Sequence, residues 1–256
     1  MKRASLIIAS ALMFAAPVAQ AADMALKAPP PAPAVDPWAG WYLGVNIGGS
    51  WGRAADTTTY GAPPVLFAAT SSHLDGVIGG GQVGYNWHSN SWLFGLEADI
   101  QGSGERSSAT TSLTNTILVP INGVFFPINI TGNLTDNERL SWFGTLRARL
   151  GLLASPTWLF SVTGGLAYGE IQNNETFTVG PVTVLNNFNN TRAGWTVGGG
   201  VEGVVSGNWT AKLEYLYMDF GTITHTYPGL SIFNPLTLSS HVTDNVVRVG
   251  LNYHFH

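Results

Sequence analysis

The chain has 256 residues, 31 glycines, no cysteine and a formal net charge of −4. So many glycines disfavour a helical protein, the lack of cysteine excludes disulfides and thiol chemistry, and the acidic balance offers no basic face for nucleic acid.

The first residues read as a targeting signal. Lys2 and Arg3 give a positive start, Leu6 to Val18 is apolar but too short to cross a bilayer, and Ala19-Gln20-Ala21 is an A-x-A cleavage site. Residues 1–21 are therefore expected to be a signal peptide. Taking Lys2 and Arg3 from the 11 basic residues leaves 9 against 15 acidic ones, a net charge of −6 for the exported chain. Residues 22–38 contain Pro29, Pro30, Pro31, Pro33 and Pro37, which predicts a stiff, extended lead.

From residue 39 the chain alternates apolar and polar residues, the period of β-strands. The first strand places Trp41, Leu43, Val45 and Ile47 on one face and Gly44, Asn46 and Gly48 on the other. The second opposes Val77, Val83, Tyr85 and Trp87 to Gln82, Asn86 and His88. The third opposes Trp92, Phe94, Leu96, Ala98 and Ile100 to Glu97, Asp99 and Gln101. In the fourth, Leu140, Trp142, Leu146, Ala148, Leu150 and Leu152 face away from Thr145, Arg147 and Arg149. In the fifth, Trp158, Phe160, Val162, Leu166 and Tyr168 face away from Ser161, Thr163 and Gly165. The sixth sets Ala193, Trp195, Val197 and Val201 against Arg192, Thr196 and Glu202. The seventh sets Trp209, Ala211, Leu213, Tyr215 and Tyr217 against Thr210, Lys212 and Glu214. The eighth sets Val247, Val249, Leu251, Tyr253 and Phe255 against Arg248, Gly250 and Asn252. Trp51 also keeps the apolar phase; Trp38 lies outside all eight segments.

The connections alternate in length. His88-Ser89-Asn90-Ser91, Ala154-Ser155-Pro156 and Ser206-Gly207-Asn208 are short, and the others run to roughly 20 to 35 residues, the asymmetry of an outer-membrane barrel. Within the long connection Thr116–Ile130, Asn122-Gly123 is a hairpin turn. Counted as membrane strands, its flanks would make ten strands, but Pro120 and Pro127 favour a hairpin beyond the membrane. Thr176–Val184 and Gly229–Leu238 look like similar extensions.

Three features decide which phase faces lipid. Trp41, Trp87, Trp92, Trp158, Trp209 and Tyr253 cluster at the short-turn end, and Trp51, Trp142, Tyr168, Trp195 and Tyr217 at the other, like two interfacial belts. The middle of the apolar phase carries no charge; Glu138, Glu170 and Asp219 fall in it only near the long connections. The last strand ends in aromatics at Tyr253 and Phe255. Arg or Lys at mid-bilayer costs about 2–4 kcal/mol, so Glu97, Asp99, Arg147, Arg149, Arg192, Glu202, Lys212, Glu214 and Arg248 must point inward. Four acids and five bases in a narrow lumen predict an ion-paired plug; a charged pore lining is the alternative. Gly95, Gly194, Gly198 and Gly200 are expected to leave room for the arginines. The expected fold is an all-β, eight-stranded antiparallel up-and-down transmembrane β-barrel over residues 39–256, with long extracellular loops.

Gly40-Trp41-Tyr42-Leu43-Gly44, Gly80-Gly81-Gln82-Val83-Gly84-Tyr85-Asn86-Trp87, Phe94-Gly95-Leu96-Glu97-Ala98-Asp99, Leu146-Arg147-Ala148-Arg149-Leu150-Gly151, Trp195-Thr196-Val197-Gly198-Gly199-Gly200, Lys212-Leu213-Glu214-Tyr215-Leu216-Tyr217 and Val247-Arg248-Val249-Gly250-Leu251-Asn252-Tyr253 resemble the alphaproteobacterial outer-membrane β-barrel family. That resemblance implies surface antigens and haemin-binding proteins with a fold like the OmpA and OmpX barrels. It implies an outer-membrane location and a role in envelope integrity or surface binding, and it carries over no catalytic residue. The lead and both termini are then periplasmic. The expected partners are outer-membrane lipid, lipopolysaccharide and, through the C-terminal strand, the barrel-assembly machinery; His256 after Phe255 departs from the family's aromatic ending. No wall-anchoring domain is expected after the barrel.

Other motifs carry less. Gly79–Gly84 and Gly198–Gly203 match GxGxxG, but neither opens a helix that could seat a phosphate. No lipid-facing His has a Ser partner, so no enzyme is expected. The histidines lack metal-ligand spacing, and no metal or resident cofactor is expected; His73, His225 and His241, in long connections, are the candidate axial ligands if haemin binds.

Overall fold

The computed structural model describes residues 37–60, 65–121, 123–227 and 236–255. The signal peptide, nearly all of the lead, His256 and most of the Gly229–Leu238 extension lie outside these residues. Contacts divide the chain into residues 1–34 and 35–256, and the second unit contains everything described below.

That unit is built of nine strands: β1 (Gly40–Tyr60), β2 (Val65–Ser89), β3 (Trp92–Ser103), β4 (Arg106–Ile121), β5 (Val124–Ser155), β6 (Trp158–Val179), β7 (Val182–Ser206), β8 (Trp209–Tyr227) and β9 (Leu236–His254). All pair antiparallel. The ring runs β1–β2–β3–β5–β6–β7–β8–β9 and closes because β1 pairs with both β2 and β9. β3 and β4 follow one another along the same partner: Gly102 pairs with Trp142 of β5, and Arg106 resumes opposite Arg139. The wall therefore has eight strands, and the reading with ten does not hold.

The surface is inverted relative to a water-soluble protein. Ile47 and Val77 are 65% and 74% exposed, whereas Arg147 and Arg248 are 1% exposed. Leaving one large aliphatic side chain in water instead of an apolar phase forgoes about 1.5–3 kcal/mol. A continuous band of such residues on β1, β3, β6 and β9 requires lipid around it.

The short connections are the predicted ones, at residues 90–91, 156–157 and 207–208, with Asn90 and Gly207 at φ of 56° and 53°. The long connections are less irregular than their sequences suggest. β1 and β2 stay paired from Gly40↔Asn86 to Tyr60↔Val65, and β6 and β7 stay paired out to Val179↔Val182. The predicted hairpin turn is present between Ile121 and Val124, with Gly123 at φ 78°. Pro120 and Pro127 sit within this ladder, opposite Phe125 and Leu118. β5 gains its second neighbour, β6, only from Gly132 onward. The tip is thus a two-stranded ribbon whose free edges need no donor, so proline is tolerated there.

Two register shifts change the phase: one at Gly221 of β8, which turns Ile223 and His225 inside, and one in β5. β5 pairs Leu140 with Ile171 but Trp142 with Glu170, leaving Ser141 as a bulge. Trp142 keeps to the outside, while Leu140 and Glu138 turn inside and are nearly fully buried. Both were expected on the lipid-facing phase. An extra residue flips every side chain beyond it. The protein should migrate faster unboiled than boiled on a denaturing gel. Deleting Ser141 should turn Glu138 outward and reduce the fast band at least about twofold.

Candidate functional site

The lumen is filled in layers, and inward-facing residues of each strand set their order. At the turn end, Trp38 is buried with Leu93 and Leu159. Its Nε1 donates to the Pro156 carbonyl at 2.9 Å, and its own carbonyl accepts from Asn86 Nδ2 at 3.1 Å. This tryptophan, outside the alternating segments, caps the lumen floor.

Above it lies Glu202 of β7. It accepts from Arg149 of β5, from Thr210 and, at 2.7 Å, from Asn252 Nδ2, with His254 Nε2 3.6 Å away. The next layer holds three acids and three bases. Arg147 of β5 reaches Glu97, Asp99 (3.1 Å) and Glu214 (2.8 Å). Lys212 of β8 donates to both Glu97 oxygens at 3.0 and 2.8 Å. Arg248 of β9 donates through Nε to Glu214 at 2.8 Å and through Nη2 to Asp99 at 2.9 Å. Tyr42 donates to Glu97 at 2.5 Å, and Thr145 to Asp99 at 2.7 Å. In the ring, β3 and β8 are diametrically opposite, so Lys212–Glu97 spans the lumen. Eight of the nine predicted interior charges meet here and balance. Arg192 faces inward nearer the long connections and enters none of these ion pairs.

The glycines have different neighbours from those expected. Gly95 lies against Asn86, Gly194 against Asp219 and Phe220, Gly198 against Leu216 and Gly200 against Glu214. Gly48 and Gly165 leave room for the Arg248 and Arg147 backbones, and Gly84 for Tyr42. A Cβ on Gly84 would strike the Tyr42 ring, whose hydroxyl holds Glu97.

An apolar layer follows, which was not anticipated for a polar interior. Phe143, Ala167, Leu216, Met218 and Val246 are essentially inaccessible and cluster together. They occupy the same phase as the charges: Phe143 follows Arg147 and Thr145 along β5, and Leu216 follows Lys212 and Glu214 along β8. Beyond this layer is a chamber of about 40 Å³ lined by Asp56, Asp136, Asn173, Glu175 and His225, among others. Carboxylate oxygens of Asp56, Asp136 and Glu138 lie within 4.8 Å of one another. Burial, reinforced by neighbouring carboxylates, pushes Asp136 up to about 7 and Glu138 up to about 8. Spacing along the chain gave no sign of this cluster, because β1 and β5 meet only through the closed ring and Glu138 needed the bulge to enter it.

The outer face carries the predicted aromatics at both ends. Trp41, Trp87, Trp92, Trp158, Trp209 and Phe255 are exposed at the turn end, where Trp41 packs edge-on to Tyr85 at 5.2 Å, Trp209 to Tyr253 at 5.2 Å and Tyr253 to Phe255 at 5.0 Å. At the other end Trp142 packs on Tyr168 at 6.1 Å and Trp195 on Tyr217 at 5.4 Å. Trp142 Nε1 donates to Glu170 at 2.9 Å, so Glu170 is indeed outward. The next outward residues beyond this belt include exposed Arg53 and the cross-strand pair Arg106↔Arg139. The three candidate haemin ligands do not converge: His73 and His241 stand outside with β1 between their strands, while His225 lines the inner chamber. Both GxGxxG matches lie within strands, β2 and β7.

A closed eight-stranded ring, lipid-facing aliphatics and two aromatic belts describe an outer-membrane barrel. Residues 6–255 match the family model for the outer membrane protein β-barrel domain. The chain belongs to this family. Among β-barrel relatives, it is 36% identical to the 31 kDa outer-membrane immunogenic protein of Brucella melitensis, over 98% of this chain and 99% of that one. It is 26% identical to the 25 kDa outer-membrane immunogenic protein of Brucella abortus, over 97% and 96%. The crystal structure of the outer membrane protein OprG from Pseudomonas aeruginosa matches 86% of this chain and 97% of that one, at 13% identity and a TM-score of 0.43.

Arg147 is the hub of the barrel's ionic layer. Arg147→Ala leaves Glu97, Asp99 and Glu214 facing one another with two bases for three acids. It should lower unfolding stability by about 3–5 kcal/mol, measured by urea titration in detergent micelles.

Proposed function

We propose that the protein is a closed, non-catalytic barrel that reinforces the outer membrane and presents β-ribbons at the cell surface. The observation that carries this reading is the filled lumen: ion pairs spanning it, an apolar layer above them and Trp38 below. A water-filled path needs continuous polar lining, and Phe143, Leu216, Met218 and Val246 interrupt it. The short turns and both termini belong to the periplasmic side, and the ribbons that run out to Tyr60, Ile121 and Val179 to the exterior. The relatives' names as immunogenic proteins support such exposure.

Lipopolysaccharide is the partner that fits the outer rim. Arg106 and Arg139 face each other directly across β4 and β5, an unfavourable like-charge pair unless an anion lies between them. Together with Arg53 they stand just beyond the tryptophan belt, the level of anionic head groups. A lipid phosphate would accept forked hydrogen bonds from both guanidinium groups.

Two measurements test the proposal. In planar bilayers the purified barrel should show no steady openings, and reproducible unitary conductance would overturn the closed reading. R106A/R139A should bind lipopolysaccharide at least about tenfold more weakly than the parent chain, while keeping its heat-dependent gel shift; unchanged affinity would remove the rim from the proposal.

A further inference from the structure

The acidic chamber above the apolar layer, like buried Glu105 and Asp244 level with that layer, holds acids on which only other acids act. Below that layer every buried acid has a base beside it. In the chamber, the charges acting on Glu138 are Asp136 and Asp56, and those acting on Asp136 are Glu175 and Asp56. No lysine or arginine is among them.

The groups also leave acceptors unused. Glu138, 3% exposed, accepts at Oε1 from Asn173 Nδ2 at 3.1 Å and from Ser240 at 3.4 Å, but its Oε2 has no partner. Asp136 Oδ1 is likewise buried without a donor. The independent sign is Asn173 of β6, which lines the chamber and is 7% exposed. Its amide nitrogen is committed to Glu138, which leaves Oδ1 as a buried acceptor with nothing to accept. Buried oxygens without donors cost on the order of 1–3 kcal/mol each. A group that satisfies several at once, and carries positive charge, offsets that cost.

We propose that Asp56, Asp136 and Glu138, with the Asn173 amide oxygen, bind a divalent cation of the calcium type in this chamber. The donor set is entirely oxygen, which suits a hard cation. Oxygens about 2.4 Å from a calcium ion lie up to about 4.8 Å apart across it, the span within which the three carboxylates fall. The chamber's volume of about 40 Å³ leaves space for a water beside the ion. Carboxylate oxygens spread over as much as 4.8 Å suit the longer, more flexible coordination of calcium better than the short, strict octahedron of magnesium. With the cation in place the carboxylates hold no proton at neutral pH. It would tie the three walls together where the ribbons leave the membrane.

The test uses barrel refolded from inclusion bodies in non-ionic detergent, free of lipopolysaccharide, titrated calorimetrically with calcium chloride. Saturable binding of one calcium per chain is expected, at least about fivefold weaker with magnesium. D136N/E138Q should lose at least about tenfold in calcium affinity. In chelator, at a pH above about 8 where both acids are ionised, the same variant should unfold at higher temperature than the parent, because its like charges are gone. Asn173→Leu should weaken calcium binding without altering charge, and the outward-facing Glu170→Gln should leave it unchanged. Absence of saturable binding to the parent chain, or equal affinity in D136N/E138Q and Asn173→Leu, overturns the site. Magnesium binding as tight as calcium overturns the assignment of the ion.

Discussion

In hydrocarbon, a backbone N–H or C=O without a partner costs several kcal/mol, so a strand can enter the membrane only inside a closed ladder. Everything else in this barrel follows from the pairing of β1 with both β2 and β9. Closure at eight strands leaves a lumen wide enough for side chains and little more. Strand alternation then sends every second residue into that lumen. Charged residues cannot face lipid and cannot reach bulk water, so they must meet one another. The balanced set of Glu97, Asp99, Glu214, Arg147, Lys212 and Arg248 is the result. Its bonds tie β3, β5, β8 and β9 across the axis, cross-links that the sheet hydrogen bonds do not provide.

The apolar layer explains why these pairs hold so closely. A salt bridge open to water contributes little, because solvent screens it. Phe143, Leu216, Met218 and Val246 close the lumen from the ribbon side, and Trp38 closes it from the turn side. The charges between are dehydrated, so each missing partner becomes costly. The same seal divides the interior electrostatically. The ion-paired bases lie below it, and the chamber above contains acids with no base acting on Glu138 or Asp136. One barrel therefore holds a charge-balanced compartment and a second one whose buried acids have no base acting on Asp136 or Glu138.

Most of the wall was legible in the sequence because alternation is a local signal. Trp41 to Ile47 or Arg147 to Leu152 announce their faces without reference to any other strand. The ionic layer was legible for the same reason, since a charge in a membrane strand has one place to go. The departures have a common cause: they depend on events that break or exceed the local pattern. Ser141 adds one residue and turns Leu140 and Glu138 inward, which period-two reading extended from Trp142 cannot anticipate. Phe143, Leu216 and Val246 share the charged phase, and their presence there was readable but outweighed by the expectation of a polar interior. Trp38 was the lone aromatic in a proline-rich lead, a signal of docking without a statement of where. The acidic chamber unites β1 with β5, and no spacing along the chain encodes that meeting.

The wall also separates charges of opposite sign that neighbour one another in sequence. Glu138 is buried inside, its carboxylate beside those of Asp56 and Asp136 that line the chamber, and Arg139, the next residue, points to the exterior opposite Arg106. On β1, Arg53 is exposed outside and Asp56 lines the chamber. Chain adjacency would suggest that these acids and bases neutralise each other. They do not, because the pleat directs their side chains to opposite faces and the charges acting on Glu138 are acids alone. Each side must therefore find its counter-charge in its own surroundings. Outside, the proposed partner is the anionic head groups at that height. Inside, the chamber has space for a single ion and a water. An anion on the outer rim and a cation behind it are thus two answers to one geometric fact, the alternation of a strand that continues past the membrane it crosses.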